Sequence, residues 1–298
     1  MGSGQVLLGS VVARGETGAA RPSAGLLIRT CGVRSRRERG GRPKDRGRLI
    51  VQHPPFPNPP VVEAVAGLRF ARGDAWTPQQ RDDIPVRLRP VYSGESQQEH
   101  ELQVTARIGP EPAAQARSVP SRSLAWNADR TALLGVGPGL VSVHVLKALP
   151  GLGRLRRRIQ DIVGAVLHAT AASALLEVAI RYVDRIALPL GAESDLARYF
   201  RAIPQRPDGM PSELTAFEAI TETRDPATGT IAALTTTSVP PNPGEGFVML
   251  CDLNLVRLYP ANAPLAVAAC PTVLEALHEL QLRIFLDSIT DQTRELFQ

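Results

Sequence analysis

The sequence predicts an α+β fold with a mixed or antiparallel sheet and two long helices packed on one side of it. Strand-like segments follow one another through turns and do not alternate with helices as parallel βαβ units do. Each group of strands ends in a helix, near residues 152–172 and 272–287. This order, together with the similarity of segments 61–70 and 175–186, suggests an internally duplicated strand–helix unit.

The first predicted group begins with a strand over Val61–Phe70, where side chains alternate between two faces with a period of two. Thr77 and Pro78 suit the N-cap and first position of a short helix within residues 71–83. Apolar residues recur at helical spacing over 152–172, which predicts the first long helix. The strands predicted between these helices cover 84–91, 101–108, 123–127, 131–136 and 140–146.

The second predicted group begins with a strand over 175–188 and a short helix over 195–200. A hairpin that closes near Asp225–Gly229 is expected to join strands 214–222 and 230–238. The group continues with a strand over 247–258, the second long helix over 272–287 and a last turn that Thr290 caps.

A basic arm of residues 1–50 precedes the predicted single domain of residues 51–298. Residues 1–49 hold 11 basic and three acidic side chains, which leaves 23 basic and 26 acidic side chains in the rest. The arm lacks periodicity and apolar surface, so we expect it to be disordered. It is a tether to nucleic acid or membrane, a targeting peptide, or the product of a start codon placed too early, and we favour the last.

Composition and motifs leave several functions without support. Three cysteines without C-x-x-C spacing indicate neither a zinc site nor a disulfide framework, and we expect no metal or cofactor. The sequence has no G-x-S-x-G, no H-E-x-x-H and no complete phosphate loop. Its five histidines are scattered and are expected to be structural or exposed. No apolar run approaches the ~20 residues that span a bilayer, which favours a cytoplasmic protein without membrane contact.

Carboxylates and arginines on three of the predicted strands form the candidate site. Asp184 and Asp252 each lie in an otherwise apolar row of their strand. A buried carboxylate needs a partner, and arginines on nearby strands can supply one. The set is either a polar pocket between sheet and helices or a group of structural ion pairs, and we favour the second. The candidate residues are Glu63, Arg181, Asp184, Arg185, Asp252 and Arg257.

Five segments match the pattern of a known group of proteins: residues 57–65, 136–143, 181–186, 289–291 and 295–297. The chain thereby resembles a sporadically distributed family of uncharacterised prokaryotic proteins. The resemblance spans nearly all of residues 56–297 and excludes the arm. Asp184 stands where the family usually has Asn, which adds a charge that needs pairing. The resemblance implies no known activity.

The leading hypothesis is a non-catalytic binding or interaction protein, accessory to a neighbouring gene product and acting on a protein partner. It rests on the lack of a catalytic constellation in the sequence. The alternative is a hydrolase or small-ligand enzyme that uses Glu63, Asp184, Asp252 and nearby arginines. A third hypothesis is nucleic-acid binding through residues 1–50. The excess of 32 arginines over 2 lysines indicates a GC-rich bacterial source.

Overall fold

The structure is a computed structural model, and the predicted arm of residues 1–50 lies outside the residues it describes. In the described part of the chain no helix is long and apolar enough to cross a membrane. The described residues are 56–71, 76–107, 113–146, 153–189, 192–203, 209–210 and 214–298.

The first half of the structure contains five strands and two helices. The chain order is β1 (Val61–Phe70), α1 (Pro78–Arg87), β2 (Ser96–Arg107), β3 (Ala113–Trp126), β4 (Ala132–Gly137), β5 (Leu140–Leu146) and α2 (Gly153–Thr170). Helix α1 begins where the sequence predicts it, because Thr77 and Gln80 form a reciprocal capping box.

The second half begins with β6 (Ala174–Ala187) and a 3-10 helix (Ala192–Arg198). The strands that follow are β7 (Glu218–Arg224), β8 (Thr230–Val239), β9 (Val248–Leu258) and the short β10 (Leu265–Ala266). A 3-10 turn (Val267–Ala269) leads into α3 (Cys270–Ser288), and α4 (Asp291–Glu295) ends the chain.

The ten strands of the described residues form one antiparallel sheet, so the α+β class predicted from the sequence is confirmed. The strand order is β2-β3-β4-β5-β1-β6-β9-β8-β7, and β10 pairs with β6. The first strands of the two halves, β1 and β6, therefore lie side by side at the centre. Strands β2 and β7 form the two edges.

The sheet has two faces with different cover. One face, which we call the helix face, packs against α1, α2 and the first half of α3 in one large apolar cluster. A second cluster extends the helix face over the ends of β6 and β9, where the 3-10 helix and the C-terminal turn pack. Residues from every described helix of at least ten residues join these clusters.

We call the opposite face the second face. Its buried apolar residues do not join the clusters in which the described helices pack. Val65, Leu133, Ala179 and Val183 are buried there, yet they belong to neither apolar cluster. Period-two alternation assigns each strand residue to one face or the other. Directly paired residues share a face, so the register carries this assignment from strand to strand.

Two strand predictions need correction. The sequence predicts a strand over residues 84–91, but Pro78–Arg87 is one helix, and Ile84 is fully buried against the apolar cluster of the helix face. The capping box and Pro78 start this helix, and Pro85 does not end it. The strand predicted at 101–108 is part of the longer strand β2, which pairs with β3. The sequence predicts β3 only from residue 123, whereas the strand begins at Ala113.

The hairpin of β7 and β8 closes at Asp225–Gly229, as the sequence predicts. The Asp225 carboxylate accepts hydrogen bonds from the Ala227 amide at 2.9 Å and the Thr228 hydroxyl at 2.6 Å. Gly229 has a φ of 71°, which favours glycine at this position. This turn fixes the register of the two strands at the β7 edge.

Candidate functional site

A row of polar side chains crosses the centre of the second face. Glu63 on β1 shares a register line with Val183 on β6 and, through it, with Asp252 on β9. One line further along, His144 on β5 is aligned through Val65 with Arg181 on β6. Ser142 lies two residues before His144 and therefore on the same face. We call these five residues, Ser142, His144, Glu63, Arg181 and Asp252, the polar row.

The three residues at one end of the polar row form a hydrogen-bonded chain. His144 Nδ1 lies 2.9 Å from Glu63 Oε1, and His144 Nε2 lies 3.3 Å from Ser142 Oγ. All three residues are buried, with exposures of 4–6%. In the neutral imidazole that carries its proton on Nδ1, Nδ1–H donates to the Glu63 carboxylate and Nε2 accepts from the serine hydroxyl. This is the connectivity of a nucleophile, a base and an orienting acid.

Gly135 on β4 makes room for the serine of this chain. It lies directly opposite Ser142 in the sheet. A Cβ atom built at position 135 would stand 2.5 Å from Ser142 Oγ, which no real contact tolerates. A larger residue here would displace the hydroxyl, so glycine is required for the serine to keep its place.

The other end of the polar row is an ion pair. Arg181 binds Asp252 with two nitrogens, one of which, Nε, lies 2.7 Å from Oδ1. Such two-point contacts are the stronger kind of arginine–carboxylate bond. The hydrogen bond to Asp252 raises the pKa of Arg181, and the nearby charge of Glu63 adds to this effect. Arg181 is thereby held charged between two carboxylates.

Two further ion pairs flank the polar row on the second face. Arg69 Nε donates to Glu177 Oε2 at 2.9 Å. Arg185 donates to both oxygens of Glu245, at 2.7 and 2.6 Å. The bonds from Arg185 lower the pKa of Glu245 to about 2. These carboxylates and those of the polar row are each bound by a basic side chain of the same chain.

Two of the predicted site residues lie apart from the others. Asp184 pairs with Cys251 on the helix face and is only 1% exposed. Its Oδ2 atom has no hydrogen-bond partner among the described residues. Burial, with a smaller contribution from Asp252, raises its pKa to about 7. Arg257 lies at the end of β9, where its Nε donates to Thr230 Oγ1 at 3.0 Å. The structure therefore gathers Glu63, Arg181, Arg185 and Asp252 on one face and leaves Asp184 and Arg257 outside that group.

Ser142 and His144 are the site residues that the sequence analysis does not single out. Their signal is a Ser-x-His spacing within a strand, which places both side chains on one face. Their contact with Glu63, however, depends on which strand neighbours β5. That neighbour is β1, and the two contacting residues are 81 positions apart in sequence.

The described cysteines offer no reactive thiol. Cys251 and Cys270 are free and buried. Burial raises the pKa of each thiol to about 12, so both are protonated at neutral pH. No group of three or more metal-ligating side chains comes together in the part of the chain that the structure describes.

A cavity of about 420 Å³ opens where β8 ends and β9 begins. We call it the strand-end cavity. Phe247, stacked on Phe217 with ring centroids 6.3 Å apart, contributes to one wall. Gly246 allows close approach there, because a Cβ atom would stand 2.6 Å from the Leu188 carbonyl oxygen. The lining residues are Thr215, Ala216, Ser238, Val239, Pro240, Pro241, Glu245, Gly246, Phe247 and Val248.

Comparison with known proteins does not assign the chain to a family. No protein-family model and no curated protein matches it. One solved structure, the di-domain ARO/CYC StfQ from the steffimycin biosynthetic pathway, is 10% identical, with a TM-score of 0.14. That match covers 76% of this chain and 91% of the other. A likeness at this TM-score carries no argument about fold or function.

Proposed function

We propose that this protein is a non-catalytic interaction protein that binds an extended segment of a partner protein. The observation that carries the proposal is the pairing of charges on the second face. Glu177, Glu245 and Asp252 are each bound by an arginine of the same chain. A general acid or base must exchange its proton with substrate. Carboxylates bound in this way are suited to holding strands together.

The strand-end cavity is the proposed binding site. Its volume of about 420 Å³ lies within the usual range for ligand pockets. Val239, Pro240, Pro241, Phe247 and Val248 make most of the lining apolar. The segment Leu214–Phe217 runs along it without regular secondary structure, with Thr215 and Ala216 exposed. An extended peptide that inserts an apolar side chain fits this combination.

Peptide selection against the purified protein tests the proposed site. A displayed library of random peptides is enriched on the wild-type protein, and the enriched peptides are measured against two variants. Ala216→Trp fills the cavity, whereas Ala227→Trp makes the same change in the exposed turn of the β7–β8 hairpin. We expect enriched peptides to carry an apolar residue, to lose binding to Ala216→Trp and to keep it with Ala227→Trp. Equal binding to both variants would remove the cavity from the proposal.

A hydrolase is the second candidate function, because the Ser142–His144–Glu63 chain has the order of a nucleophile, a base and an orienting acid. A fluorophosphonate probe reacts with an activated serine hydroxyl and tests this candidate directly. If the wild-type protein is labelled and the Ser142→Ala or His144→Ala variant is not, the result would support the hydrolase. We expect no labelling at Ser142, because its side chain is buried and hydrogen-bonded.

We propose nucleic-acid binding through residues 1–50 as a third candidate, carried by the positive charge of that segment. Salt-sensitive DNA binding that is lost on deleting residues 1–50 would support it.

We also propose the finer architecture of two long helices on one side and a duplicated strand–helix unit. The strand orders β1-β5-β4-β3-β2 and β6-β9-β8-β7, which run outwards from the centre, support the duplication. Family membership, bacterial origin and a cytoplasmic location are proposals from the sequence alone.

A further inference from the structure

Strand β7 forms an exposed edge of the sheet. Within the described residues it pairs with β8 and with no other strand. Six of its seven residues are exposed, and Ile220 is 68% exposed, more than any other large apolar side chain of the described chain. One side of its backbone therefore has amide and carbonyl groups without a strand partner, and such an edge is a template for pairing with another strand.

We propose that two copies of this chain associate by pairing β7 with β7, antiparallel across a two-fold axis, with Thr221 opposite Thr221. The inference is independent of the proposed partner-binding function. It rests on the self-complementarity of β7, because a two-fold interface requires one surface to match itself.

Charge and the length of the paired segment together decide the register of this pairing. A two-fold axis perpendicular to the sheet puts one residue opposite its own copy. Centring on Ile220 sets Glu218 opposite Glu222, and centring on Glu222 sets two Glu222 carboxylates opposite each other. Centring on Thr221 instead sets Glu218 opposite Arg224 twice, once on each side of the axis. Opposite charges across strands stabilise a pair and like charges destabilise it. Centring on Thr223 also sets Glu222 opposite Arg224 twice, but only residues 222–224 of β7 then lie opposite β7 of the second copy, whereas centring on Thr221 pairs all seven residues.

The other side chains of β7 fit the same register. On the helix face, Thr221 meets Thr221 of the second copy, and Ala219 meets Thr223. On the second face, Ile220 lies opposite Glu222 and reaches Ile220 of the second copy across a diagonal, which covers exposed apolar surface. The two Glu222 carboxylates meet only across a diagonal. Replacing Glu222 by Gln should therefore strengthen the association.

Charge-reversal variants test the proposal. Glu218→Arg places Arg opposite Arg, and Arg224→Glu places Glu opposite Glu, so each variant alone should associate about tenfold more weakly than wild type or worse. A mixture of the two variants should recover association, because every pair across the axis then has opposite charges. Sedimentation velocity of the full chain over a range of concentrations measures all three samples. Both positions are exposed, and unchanged thermal unfolding of each variant checks that the fold is intact.

The outcomes separate the proposal from its rivals. A wild-type protein that is monomeric at the highest concentration would overturn it and would indicate that the charges of β7 protect the edge. Wild-type association that neither single variant weakens would place the interface elsewhere and would also overturn it. Weakening by both variants, recovery in the mixture and weakening of the wild-type association at high salt together support it.

Discussion

The two faces of the sheet are stabilised in different ways. The helix face buries aliphatic and aromatic side chains against α1, α2 and α3, and Leu134, Leu255 and Leu277 are fully buried there. The second face links the same strands through the Glu63–His144, Arg181–Asp252 and Arg69–Glu177 pairs, and the Arg185–Glu245 pair joins β6 to the loop before β9. Apolar burial is non-directional, whereas a hydrogen-bonded pair of side chains fixes the relative position of two strands. We infer that the helix face supplies most of the stability and the second face supports strand register.

Asp184 is a buried carboxylate on the helix face, and its replacement should have the largest effect on the free energy of unfolding. Its carboxyl has an ordinary pKa of 3.8 and a pKa of about 7 in the folded protein. The folded state therefore holds an extra proton between these values, and stability falls by about 1.4 kcal/mol per pH unit as the pH rises through this window. Asp184→Asn removes the charge, so at pH 8 it should be more stable than wild type by roughly 3–4 kcal/mol.

Urea unfolding of wild type and Asp184→Asn at pH 5, 6, 7 and 8 checks this sign. The advantage of the variant should grow from pH 5 to pH 7 and then level off, because the penalty is complete once the folded carboxyl is ionised. An advantage independent of pH would mean that Asp184 is not the titrating group.

Truncation of a core side chain should have the next largest effect, and it should depend on the face. Leu255→Ala opens a cavity in the fully buried helix face and should cost about 3 kcal/mol. Leu258→Ala on the same strand removes a side chain that is 47% exposed and lies on the other face, and it should cost less than ~0.5 kcal/mol. Urea unfolding measures both, and similar costs would contradict the full burial of Leu255 in the core of the helix face.

Breaking the partly buried Arg181–Asp252 pair should lower the free energy of unfolding by less than truncating Leu255. Arg181→Ala leaves Asp252 without its two bonds and should cost about 2 kcal/mol. The double variant Arg181→Met with Asp252→Leu replaces both charges by apolar groups and should recover most of that loss. If the double variant is less stable than Arg181→Ala, the pair stabilises the fold through its charge and not only through register.

The smallest predicted effect on the free energy of unfolding comes from Gly135, the glycine directly opposite Ser142 in the sheet. Gly135→Ala should cost about 1 kcal/mol, because the new Cβ atom collides with the serine hydroxyl. Ser142→Ala removes that oxygen, so the Gly135→Ala cost should shrink in the Ser142→Ala background. A cost that is the same in both backgrounds would show that the strain arises elsewhere.

The sequence predicts those parts of the fold that depend on local pattern. The alternation of Val61–Phe70 gives β1 its correct bounds, and the Asp225–Gly229 turn is correctly placed. The strand expected at 84–91 is wrong, because the helix start at Thr77 and the burial of Ile84 outweigh the local preference.

The candidate site is less predictable because it depends on register. Asp184 and Asp252 each lie in an apolar row of their own strand, and the sequence does not reveal that these rows belong to opposite faces. The register pairs Val183 with Asp252 and thereby turns Asp184 to the helix face. The contact of His144 with Glu63 likewise depends on β1 lying beside β5. Pairings between distant segments are set by tertiary packing, which local periodicity does not contain.

The most direct test of the proposed function is to map the binding of a selected peptide by NMR on the full chain. If the protein acts through the strand-end cavity, shifts should concentrate at Thr215, Ala216, Ser238, Gly246 and Phe247, while signals of the polar row stay in place. Shifts concentrated at Ser142, His144 and Glu63 would contradict the account, because they would show that the polar row receives the ligand.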